Sequence, residues 1–137
     1  MPHDARGVAV ADYDQDGWLD LAVGVSTGPL HLFHNMGVAG RRSLLLRLRG
    51  DGANPDAVGA RITVALPRGE ATVREVRAGG GFLSEDGAVQ VIGVGAVEGD
   101  LTVTVRWPDG MEQRFEGVVP GALTELVQGA TPPGGLN

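Results

Sequence analysis

Residues 101–118 read Leu101-Thr102-Val103-Thr104-Val105-Arg106-Trp107-Pro108-Asp109-Gly110-Met111-Glu112-Gln113-Arg114-Phe115-Glu116-Gly117-Val118. Leu101, Val103, Val105 and Trp107 alternate with Thr102, Thr104 and Arg106. That period of two sets one face of a strand against a core and the other in water. Pro108-Asp109-Gly110 supplies a tight turn, so Met111 to Val118 returns as the second arm of a hairpin. The same texture extends upstream. In Ala60–Leu66, Ile62, Val64 and Leu66 share a face, Pro67-Arg68-Gly69-Glu70 turns the chain, and Ala71–Arg77 returns antiparallel. Leu44–Leu48, Ala88–Val94 and Leu123–Val127 read as further strands, and no segment longer than a turn carries a helical stripe.

Towards the amino terminus the strands shorten. Gly7–Ala11, Leu21–Val25 and Pro29–Asn35 form a three-strand meander, too small to bury both of its faces. The expected fold is therefore all-β: a meander over 1–37, a linker over 38–42, an antiparallel β-sandwich or barrel-like domain over 43–128, and a disordered tail over 129–137. Val8, Val10, Leu21, Val23, Leu30 and Leu32 are expected to form one apolar face of the meander, with Phe33 on the opposite face. That face is expected to fold back on the second domain, with a homodimer as the alternative to a monomer.

Composition narrows the function classes. With 23 Gly and 8 Pro among 137 residues, turns are frequent, while a hydrophobic fraction of 42% is enough for a core. The net charge of −6 lacks the footprint of a nucleic-acid binder. All the basic residues are Arg, and the absence of Cys removes disulfides, thiolate zinc sites and thiol nucleophiles together. No run of 18 apolar residues suits membrane insertion, and Met1-Pro2-His3-Asp4 does not begin a signal peptide.

The stretch that carries chemistry is Asp12-Tyr13-Asp14-Gln15-Asp16-Gly17-Trp18-Leu19-Asp20. Carboxylates stand at loop positions 1, 3, 5 and 9 with Gly at 6, and the Trp18 carbonyl at position 7 adds a neutral oxygen. Calcium takes six to eight hard oxygens at about 2.3–2.6 Å, whereas magnesium demands a smaller, near-octahedral shell. Four carboxylates within nine residues repel one another unless a cation lies among them. An EF-hand would place Glu at position 12; here that position is Val23, and the flanks are strands. Calcium at Asp12, Asp14, Asp16, Trp18 and Asp20 is the resulting expectation.

This loop and its surroundings, from Gly7 through Leu19-Asp20-Leu21-Ala22-Val23 to Leu32-Phe33-His34-Asn35-Met36-Gly37, resemble an FG-GAP (VCBS) repeat, one blade of an integrin-type β-propeller. The resemblance implies calcium at the same five residues and makes the meander a partial blade. Arg42 to about Gln128 resembles the ASPIC/UnbV domain through Val58-Gly59-Ala60-Arg61-Ile62, Arg74-Glu75-Val76, Gly79-Gly80-Gly81-Phe82-Leu83-Ser84, Gly93-Val94-Gly95 and Val105–Gly110. Glu85 stands where that family usually has Gln, and no catalytic set carries over. The two resemblances imply a non-enzymatic, calcium-binding module for ligand binding or adhesion, contacting protein or carbohydrate. It would be the carboxy-terminal piece of a longer extracellular or periplasmic protein. The alternatives are an enzyme or accessory protein of enediyne-type natural-product biosynthesis, by association of the UnbV name, and a purely structural cap of a propeller.

Other groups read as structural. The glycine run at 79–81 lacks the helix and Lys of a phosphate cradle and reads as a bulge. His31 and His34, three apart in a strand, face opposite sides and read as surface polar residues. Arg61, Arg74, Arg77 and Arg106 read as cross-strand partners of Glu75, Glu112 or Glu116, with a carboxylate-bearing ligand as the competing reading. Trp107 is expected to cap the core.

Overall fold

The alternating stretches become strands in a computed structural model that describes residues 4–79 and 86–130. In chain order they are β1 Ala5–Ala11, β2 Asp20–Val25, β3 His31–Phe33, β4 Arg42–Arg49, β5 Arg61–Ala65, β6 Ala71–Glu75, β7 Gln90–Gly95, β8 Leu101–Arg106, β9 Glu112–Val118 and β10 Leu123–Val127. They form three sheets, ordered β1-β2-β3, β10-β4-β7 and β6-β5-β8-β9. The all-β expectation holds, and the described sheets do not close into a barrel. Arg42, read as linker, opens β4. Residues 80–85 of the glycine-rich stretch and its flank, and the tail from Thr131, lie outside the described residues.

The second and third sheets enclose the core. Leu44, Leu46, Leu48, Ile92, Val94 and Leu126 on one side meet Ile62, Val64, Val103, Val105 and Phe115 on the other, and all are buried. Each such side chain contributes about 1.5–3 kcal/mol relative to exposure. Trp107 is 1% exposed and closes the end of β8, as its position at the end of an alternating run requires.

Not every pairing is antiparallel: β10 runs parallel to β4, with Leu123 opposite Leu45 and Leu126 opposite Leu48. The cause lies in the crossover. Leaving β9 on the third sheet, the chain passes through buried Pro120 and exposed Gly121, where Gly121 N–H donates to the Ser43 carbonyl at 2.8 Å and Arg42 donates to the Pro120 carbonyl. β10 thus enters beside the start of β4 and must run in the same direction.

The blade corrects a second expectation. In the register Val8 opposes Val23, Val10 opposes Leu21, Val23 opposes His31 and Leu21 opposes Phe33. Residues paired in this way share a face, so Phe33 and His31 join Val8, Val10, Leu21 and Val23, while Leu32 lies on the other side with Ala22. The His31 and Phe33 rings stack at 6.5 Å between centroids. Nor does either face enter a core: Val8, Leu21 and Phe33 on one side and Leu32 on the other are exposed, as is Leu30.

The blade meets the sandwich through its loop and first strand instead. Val10 N–H donates to Asp86 Oδ1 at 3.1 Å, and Gly87 N–H donates to the Val10 carbonyl at 3.4 Å. Leu45 and Val91 are register partners on the face of β4 and β7 opposite the core, yet both are buried. Gly17 of the loop sits over this platform, where an added Cβ would lie 3.9 Å from Leu45 Cδ1. Three buried leucines of β4 face the sandwich, and Leu45 alone faces the blade.

Candidate metal centre

β1 ends at Ala11 and β2 begins at Asp20, so the eight residues between them must curl back within a strand separation. Gln15 (φ 62°) and Gly17 (φ 92°) adopt the left-handed region that makes this turn. For Gln15, which carries a Cβ, that conformation costs about 1–2 kcal/mol. Hydrogen bonds from the loop's own amides offset it. Asp12 accepts Asp16 N–H at 3.0 Å and Gly17 N–H at 2.9 Å. Asp16 Oδ1 accepts Trp18 N–H at 2.9 Å, and Asp14 Oδ1 accepts Asp16 N–H at 3.3 Å.

Asp20 forms the floor. It is 4% exposed; its Oδ2 accepts Tyr13 N–H at 3.2 Å and its Oδ1 accepts Asn35 N–H at 2.7 Å. Asn35 then stitches the exit of β3 to the loop: its Nδ2 donates to the Leu19 carbonyl at 3.2 Å, and its Oδ1 accepts Gly37 N–H at 3.1 Å. Gly37 is required twice over. Its φ is +65°, and a Cβ there would strike the Trp18 indole at Nε1.

Of the expected ligands, Asp12, Asp14 and Asp20 converge, with one carboxylate oxygen from each lying within 4.8 Å of the others. Asp16 stands beside Asp14 and groups with it and His34. His34 Nε2 lies 2.9 Å from Asp14 Oδ2 and 3.7 Å from Asp16 Oδ2, with its ring edge-on to Tyr13 at 5.9 Å. The converging oxygens are hard, anionic and loop-borne, a donor set that fits calcium. His34 is exposed, as its reading as a surface polar residue expects, and the anchoring of the adjacent Asn35 on Asp20 sets it beside the loop.

This arrangement agrees with what family models recognise in the chain. A model described as "ASPIC and UnbV" matches residues 50–133, more than half of the sequence. The chain belongs to the ASPIC and UnbV family. An FG-GAP repeat model matches residues 5–45, directly upstream. No curated protein matches the sequence. The acidic loop therefore lies in the FG-GAP repeat, and FG-GAP repeats commonly bind calcium and are typically extracellular.

Where the FG-GAP blade meets the ASPIC/UnbV sandwich, a cleft of about 630 Å³ opens, lined in part by Val10, Leu19, Arg74, Arg77, Asp86 and Val91. A recess of about 230 Å³ beside it shares Arg77 and Asp86 and adds Arg47, whose Nε is buried with no hydrogen-bond partner among the described residues. The arginines do not pair as alternation implied. Arg61 opposes Glu75 in register, but Glu75 pairs with Arg77 at 3.2 Å. Arg114 pairs with Glu116 along its own strand at 3.1 Å. Among the described residues the Arg–Glu pair that bridges two strands is Arg49–Glu125, at 3.2 Å.

Proposed function

We propose that the chain is a non-enzymatic, calcium-stabilised binding or adhesion module, the carboxy-terminal piece of a longer extracellular or periplasmic protein. The observation that carries this reading is the convergence of the Asp12, Asp14 and Asp20 carboxylates on one point inside a loop stitched by its own amides. Calcium at that point, with Asp16 and the Trp18 carbonyl completing the set, would neutralise the repulsion and fix the loop on Leu45. The loop is thereby the clamp between blade and sandwich, and the cleft beside it is where a ligand would be held.

A carboxylate-bearing ligand, such as an acidic glycan or an acidic peptide segment, suits the cleft. Arg47, in the adjoining recess, has a buried Nε with no hydrogen-bond partner among the described residues, and Arg77 lines both cavities. Nucleic acid does not suit a chain of net charge −6.

The test is thermal unfolding with and without calcium. A ligand that binds the folded state at about 100 times its Kd adds about 2.7 kcal/mol, so millimolar calcium is expected to raise the Tm by several degrees and magnesium by less. Equal Tm in calcium and in chelator would overturn the reading.

A further inference from the structure

The cleft beside the blade follows strand edges. Val73, Arg74 and Glu75 of β6 line it in succession, and Val91 of β7 lines it too. Consecutive side chains of a strand point to opposite faces, so three in a row meet one cavity only where that cavity lies along the strand's edge. β6 is the terminal strand of the third sheet and β7 a terminal strand of the second. We propose that the free edge of β6 docks an extended peptide segment, which joins the four-stranded sheet as a fifth strand and sets a carboxylate side chain opposite Arg74. The proposal rests on the reading of this cleft as the ligand-holding surface and does not depend on calcium.

The backbone groups that such a strand needs are turned the right way. Val76 N–H donates to the Ala60 carbonyl at 2.9 Å, and Gly59 N–H donates to the Val76 carbonyl at 2.8 Å, so Val76 bonds towards the β5 side. Successive residues of a strand turn their backbone groups to opposite edges. Thr72 and Arg74 therefore bond to β5 as well, and the N–H and C=O of Val73 and Glu75 face outward along the cleft. An open edge of this kind is a template for another strand, and proteins usually blunt it with Lys, Pro or a bulge. β6 reads Ala71-Thr72-Val73-Arg74-Glu75, with neither Lys nor Pro, and its register with β5 is unbroken.

Charge selects the guest. Arg74 opposes Ile62 in the ladder and shares its face, yet it is exposed and lines the cleft. Among the described residues Arg74 makes no ion pair. The neighbouring charges are taken up: Glu75 pairs with Arg77 at 3.2 Å, and Asp86 accepts Val10 N–H. An acidic residue directly across from Arg74 on the added strand completes a cross-strand pair of opposite charge. The residues on either side of it fall on the other face, beside Val73, which is 46% exposed, where apolar side chains cover it. In this mode main-chain hydrogen bonds give affinity and alternate side chains give specificity. A glycan has no row of alternating N–H and C=O, so the edge favours a peptide with one acidic residue between apolar ones.

The experiment titrates the full chain, in calcium, with a capped heptapeptide of alternating Val and Thr whose central Thr is replaced by Glu, followed by ¹⁵N NMR with amide exchange. Three further ligands are run beside it: the same peptide with Gln for Glu, the same peptide N-methylated at the two Val that flank Glu, and oligogalacturonate as an acidic glycan. The Glu peptide is expected to bind and to slow amide exchange at Val73 and Glu75. The Gln peptide on wild type, and the Glu peptide on Arg74→Gln, should each bind about two- to fivefold more weakly, and the N-methylated peptide should not bind. Binding that leaves the Val73 and Glu75 amides unprotected, or that N-methylation does not weaken, overturns the proposal. Binding of oligogalacturonate but of no peptide overturns the strand mode and keeps the cleft as a ligand site. Binding of neither, with a Tm still raised by calcium, overturns the proposal and leaves the calcium-stabilised reading standing.

Discussion

The backbone N–H of Asn35 donates to Asp20 Oδ1 at 2.7 Å, across fifteen residues of chain. With Tyr13 N–H on the other oxygen of the same buried carboxylate, Asp20 ties the entrance of the loop to the exit of β3. The loop is thus held by the strand that follows it as well as by the two that flank it.

Removing that carboxylate leaves two backbone donors without an acceptor. Each such loss costs about 1–3 kcal/mol, so Asp20→Ala is expected to destabilise the calcium-free protein by about 2–4 kcal/mol in urea unfolding. Asp20→Asn, which keeps one acceptor oxygen, should lose about half as much.

Gly37 and Gly40 offer a controlled comparison. Both have positive φ, at +65° and +75°, but a Cβ at Gly37 would strike the Trp18 indole while one at Gly40 would meet nothing within 4 Å. Gly40→Ala should therefore cost about 1 kcal/mol, from backbone strain alone. Gly37→Ala should cost more and shift the Trp18 fluorescence. Similar losses from both would show that the indole does not pack where the structure has it.

Adjacent leucines of β4 should separate the two halves of the molecule. Leu44→Ala opens a cavity in the sandwich and is expected to cost about 2–5 kcal/mol. Leu45→Ala removes the platform beneath Gly17. Its signature should be a several-fold weaker calcium affinity, equivalent to about 1 kcal/mol, with sandwich unfolding shifted less than by Leu44→Ala.

Strand existence was legible in the sequence, because period-two alternation and turn residues such as Pro108-Asp109-Gly110 act locally. What was illegible depends on relations between strands. Alternation shows that Phe33 and Leu32 face opposite ways, but the Ser26–Leu30 turn decides which of them joins Leu21, and that turn gave no register signal. The parallel run of β10 depends on a crossover anchored at Ser43, nearly eighty residues away. The loop ligands were legible as a pattern. The surface exposure of His34 was legible too, but its contact with Asp14 was not, since nothing in its own strand shows that Asn35 is fastened to Asp20. Among the described residues Arg61 makes no ion pair with Glu75 although the register places them opposite, and Glu75 pairs with Arg77 instead.

The face that Phe33 joins is exposed at Val8, Leu21 and Phe33. Replacing all three by Thr should change stability by little, as at other surface positions. It should reduce the apparent mass in light scattering at high protein concentration, if that face is what brings copies together. An unchanged mass in the triple variant would show that association, where observed, uses another surface.

The central claim is that the Asp12–Asp20 loop binds calcium, and calorimetric titration of wild type beside Asp14→Ala tests it most directly. Asp14 is the carboxylate common to both acidic groups. The account predicts one calcium per chain, with a Kd on the order of 10⁻⁴ to 10⁻⁶ M, and no binding heat from Asp14→Ala under the same conditions. Equal heats from the two proteins, or none from wild type, would contradict it.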